Sequence, residues 1–69
     1  MNRMPVSPLV MKALELAENR LGIDELSRRL GAPETTIRDW RMGFASMPER
    51  KWFKLVDIVM DLQPGWDND

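Results

Sequence analysis

A chain of 69 residues holds one small domain with a modest core. It contains no cysteine, histidine or tyrosine, so disulfides and thiolate sites are excluded, and so are the commonest metal ligand and the commonest general base. The net charge of -1 and a pI near 5.3 speak against a protein that coats nucleic acid indiscriminately.

Charge is unevenly placed. Residues 20–54 carry eight basic and five acidic side chains, whereas residues 55–69 carry only Asp57, Asp61, Asp67 and Asp69. A basic middle is therefore masked by an acidic end. No apolar run approaches the roughly 18 residues needed to span a membrane, and Met1 to Ser7 has no apolar core followed by a cleavage site. A cytoplasmic protein without a cofactor or metal is expected.

The first helix is predicted over about 8–21. Ser7 and Pro8 suit a helix start, Val10, Leu14, Ala17 and Leu21 recur on one face, and Gly22 supplies the stop. The second, over 23–30, has Asp24 and Glu25 at the positive end of its dipole and buries Ile23, Leu26 and Leu30 before Gly31. The third, over 33–42, turns Pro33, Ile37 and Trp40 inward; Thr35, Arg38, Asp39 and Met42 lie opposite, with Glu34 at their margin, and Gly43 closes it. The fourth, over 47–63, starts with Ser46-Met47-Pro48-Glu49, which reads as a capping box. Its apolar face is Trp52, Leu55, Val56, Val59 and Leu62, Pro64-Gly65 ends it, and residues 64–69 form a tail. No segment alternates with the period of a strand, so the expected fold class is all-α, a compact bundle of four helices.

Between residues 23 and 40 several features coincide. Ser27 is small enough for two helix backbones to approach, Gly31 permits a tight turn, and Leu26, Leu30, Ile37 and Trp40 lock the pair. The outer side of the third helix is then free to enter a major groove.

The run Ile23-Asp24-Glu25-Leu26-Ser27-Arg28-Arg29-Leu30-Gly31-Ala32-Pro33-Glu34-Thr35-Thr36-Ile37-Arg38-Asp39-Trp40 resembles the helix-turn-helix of phage-repressor (Cro/repressor-like) DNA-binding domains. Arg41-Met42-Gly43 is similar to the usual continuation. The resemblance implies a lambda-repressor-like fold and double-stranded DNA as partner. It implies that Glu34, Thr35, Arg38 and Asp39 read bases, three of which the helical wheel independently turns outward. Arg38 would donate to a guanine edge, Thr35 would meet a thymine methyl or a base, and Glu34 or Asp39 would accept from a cytosine amino group. It also implies Arg28, Arg29, Thr36, Arg41 and Lys51 as phosphate contacts. Pro33 stands where the family often has a serine or threonine cap. The acids Glu34 and Asp39 either meet cytosines or serve another partner.

Two readings of function follow. The first is a sequence-specific DNA-binding regulator of transcription. The alternative is a protein-interaction module that uses the same scaffold as an adaptor or inhibitor, favoured by the low pI and the acids on the third helix. Phe53 and Met60, seven apart on the fourth helix, together with Trp66, form a candidate dimer surface; Leu9 and Leu16 are likewise seven apart on the first helix, and packing of both helices on two sides within one monomer is the competing explanation. Trp40 and Trp52 are expected in the core, and Met4, Met11, Met42, Met47 and Met60 as gap fillers. An enzyme is not expected: Asp57 and Asp61 share a face, but as solvated acids outside any apolar pocket.

Overall fold

Glycine punctuation and apolar spacing set the layout of the chain. A computed structural model describes residues 8–68. It shows α1 (Pro8–Leu21), α2 (Ile23–Leu30), α3 (Glu34–Met42) and α4 (Glu49–Leu62), followed by a 3-10 turn over Trp66–Asn68. The fold is all-α, with no strand element among the described residues. The Cα radius of gyration of 10.8 Å matches the ~11 Å of a fully collapsed chain of this length. No helix among the described residues is long and apolar enough to cross a membrane. Ser7, read as the cap of the first helix, and Met4 lie outside the described residues.

α1 runs through the middle and packs on the other three helices. Its buried stripe of Val10, Ala13, Leu14 and Ala17 faces Leu26 and Leu30 of α2, Ile37 and Trp40 of α3, and Trp52, Leu55 and Val59 of α4 in one continuous core. Small residues on α1 let three helices approach it at once. Ala32 and Met47, from the two connecting loops, fill the remaining corners. No buried polar side-chain atom among the described residues lacks a hydrogen-bond partner.

Several expectations need correction. The capping box does not form. α4 begins at Glu49 with Pro48 as its N-cap in an extended conformation (φ -62°, ψ 147°) and no side-chain cap bond. A residue preceding proline is disfavoured in helical backbone, so Met47 stays outside the helix, and Ser46 lies two residues too early to cap it. Met47 is instead buried as a plug, whereas Met42 and Met60, also expected as gap fillers, are exposed. α3 likewise starts one residue after Pro33, which is its N-cap in an extended conformation (φ -61°, ψ 152°) and is exposed rather than inward-facing.

Another correction concerns Trp66. A candidate for the dimer surface, it is only 2% exposed. Its ring meets Trp52 edge-on, with centroids 6.3 Å apart and planes at 74°, a favoured arrangement for aromatic pairs. The tail after Pro64-Gly65 therefore folds back as a 3-10 turn and closes the core.

Trp66→Ala should lower the unfolding free energy by about 3–5 kcal/mol, a large part of what a small domain possesses. Urea denaturation followed by circular dichroism measures this. Phe44→Ala, at a position 76% exposed, should stay within about 0.5 kcal/mol of the parent. Equal stability of the two variants would refute the closing role of Trp66.

Candidate nucleic-acid interface

α2 and α3 are joined by Gly31, Ala32 and Pro33. Gly31 is left-handed (φ 66°, ψ 39°), a conformation that costs other residues about 1–2 kcal/mol. The N–H groups of Gly31 and Ala32 both donate to Ser27 O, at 2.9 and 3.2 Å. The Ser27 hydroxyl donates to Ala32 O at 2.6 Å. Ser27 thus combines the small size expected of it with a hydrogen bond across the turn.

The Lys51 ammonium, on α4, donates to Leu30 O at 2.8 Å and Gly31 O at 3.1 Å. It supplies positive charge and donors where α2 exposes its last carbonyls. This is the position at which a phosphate contact was expected, and the amino group is engaged with the protein's own backbone. A β-carbon on residue 31 would meet Lys51 Nζ at 3.3 Å. Arg20 does the same at the end of α4, donating to Leu62 O at 3.4 Å and to Gln63 Oε1 at 2.8 Å. α4 has no basic residue in its own last turn.

With the turn locked and Ile37 and Trp40 buried, α3 presents its other side outward. Thr35, Arg38 and Asp39 are exposed, and Glu34 and Thr36 are half-buried. Arg38, Arg41 and Met42 line an open depression on this side. Beyond it lies Phe44, which together with Met42 (65% exposed) adds an apolar margin. No periodic pattern marks Phe44, which follows the helix stop at Gly43.

The cations differ in how they are engaged. Arg28 and Arg29 both bind the Glu25 carboxylate, Arg29 through Nε at 2.7 Å. Arg41 Nη1 reaches Glu18 Oε1 on α1 at 2.8 Å. Hydrogen bonds from Arg29 and then Arg28 hold the Glu25 carboxyl below its ordinary range. Glu34 shows the reverse. A hydrogen bond with Asp24 at the start of α2, with some desolvation and like-charge repulsion, raises its carboxyl above the ordinary range, and Arg38 opposes the rise. Two acids thus meet near the N-terminal ends of α2 and α3.

No family model, curated protein or solved structure matches the chain.

The Glu34 shift has a defined consequence for pH. A carboxyl whose pKa is raised by folding favours the folded state at low pH, and that contribution is lost as pH rises through the raised value. Glu34→Gln removes this loss. The variant should therefore gain stability relative to the parent on going from about pH 4 to about pH 7. Denaturant titrations at the two pH values test it, and a difference that shrinks or reverses would show that the Asp24–Glu34 pair does not form in solution.

Proposed function

We propose that the protein is a sequence-specific DNA-binding regulator of transcription, in which α3 enters the major groove and α2 crosses the backbone. The observation that carries this reading is the exposed side of α3. Thr35, Arg38 and Asp39 project from a helix anchored by Ile37 and Trp40, behind a turn braced by Ser27 and Lys51. The resemblance of residues 23–40 to phage-repressor helix-turn-helix segments supports the same assignment.

Arg38 has a side chain suited to guanine, with Thr35 beside it. Glu34 and Asp39 would accept from cytosine amino groups. Arg28, Arg29, Arg41 and Thr36 are the phosphate contacts of this reading. Exposed ion pairs contribute only ~0–1 kcal/mol, so a phosphate can displace Glu25 or Glu18 from its arginine at little cost. Lys51 acts indirectly, by fixing the α2 end of the turn.

A second reading, an adaptor that binds protein, is favoured by the Asp24–Glu34 pair and by exposed Met42 and Phe44 beside α3. Titration of labelled duplexes drawn from a random pool, at two salt concentrations, separates the readings. In the DNA-binding case, Arg41→Ala flattens the log–log salt slope by about 0.9. Arg38→Ala relaxes preference at one base pair by about 1–3 kcal/mol. Micromolar protein that ignores every duplex at low salt would leave the adaptor reading in place.

A further inference from the structure

α4 has a second face that the core does not use. Arg50, Lys54, Asp57 and Asp61, spaced 4, 3 and 4, form an exposed stripe along its outer side, and Phe53 (58% exposed) and Met60 (47% exposed) flank it. The stripe is basic in its first half and acidic in its second. Positions 50 and 61, and positions 54 and 57, are each symmetric about the midpoint between Leu55 and Val56.

We infer that α4 is the seam of a two-fold symmetric homodimer in which two copies pair antiparallel about that midpoint. Arg50 then faces the partner's Asp61, and Lys54 faces the partner's Asp57. Each contact occurs twice, as an isologous interface requires. Phe53 and Met60 are symmetric about a point one residue further on, so each Phe53 is displaced from the partner's Met60 by two residues, about 3 Å along the helix, a gap that both long side chains span. Each Phe53 therefore lies beside the partner's Met60 on the same side of the seam. A parallel arrangement would place like charges opposite one another along the whole stripe. The occupant of this face is thus a second copy of the chain, selected by charge pattern and by apolar match together.

The seam is short. Fourteen residues span about 21 Å, and one helix pair buries less than the ~800 Å² per partner of a standard stable interface. Association in the micromolar range or weaker is expected. The inference does not rest on DNA binding, and its test contains no DNA.

Sedimentation of the full chain from about 10 µM to about 1 mM should show a monomer–dimer equilibrium. Lys54→Asp sets like charges opposite one another twice and should weaken association at least about tenfold. The reciprocal variant K54D/D57K restores opposite charges across the seam and should return to within about threefold of the parent. R50E/K54E and D57K/D61K should each stay monomeric, yet form a heterodimer when mixed. All substituted positions are exposed, and circular dichroism checks that the helices persist. A parent chain that stays monomeric at the highest concentration overturns the dimer. Failure of the reciprocal variant to associate, or of the mixed variants to pair, overturns the antiparallel register.

Discussion

The α2–α3 elbow depends on a cation supplied from elsewhere in the chain. α2 is eight residues long, too short to be stable alone, and its exposed C-terminal carbonyls would repel a closely turning neighbour. The Lys51 ammonium satisfies Leu30 O and Gly31 O together, while the left-handed Gly31 and the Ser27 hydroxyl close the turn beneath it. α3 inherits its direction from this joint, and Ile37 and Trp40 hold it there. Everything the outer side of α3 presents to a partner follows from how firmly three residues of loop are held.

Arg20 at the end of α4 repeats the device: two helix C-termini receive a cation from another helix, and α4 has none in its own last turn. Such contacts tie secondary structure to tertiary structure: neither helix end is satisfied until its donor helix has docked. In a chain with few core residues, this raises cooperativity without enlarging the apolar interior. It also divides the basic side chains by role. Lys51 and Arg20 brace the scaffold, Arg28, Arg29 and Arg41 sit in exchangeable surface pairs, and Arg38 is offered outward. The excess of positive charge in the middle of the chain is therefore a poor measure of what a polyanion would meet.

Helices α1 to α3 were legible because each ends at glycine and each has one apolar stripe, and Ile37 and Trp40 follow from that spacing. The exposed positions of α3 were legible for the same reason, since the buried side determines its opposite. The start of α4 was misread: a serine–glutamate spacing suggested a cap, while the stronger steric rule around Pro48 decided the boundary. Lys51 and Arg20 could not be read, because a side chain reaching a backbone oxygen 20 or more residues away leaves no periodic trace. Arg41 and Glu18 are hidden in the same way, 23 residues apart. Trp66 follows Pro64-Gly65 with no helical pattern around it, so only three-dimensional packing reveals its place against Trp52.

The location of that indole bears on the order in which the molecule is made. Trp66 lies four residues past the end of α4, so a nascent chain can expose every helix to water and still lack the wedge that seals their shared interior. Until Trp66 packs against Trp52, the interior shared by the four helices lacks one wall, and a chain in that state offers apolar surface to chaperones and proteases. A product cut short after α4 would keep all four helices in its sequence yet remain a substrate for quality control.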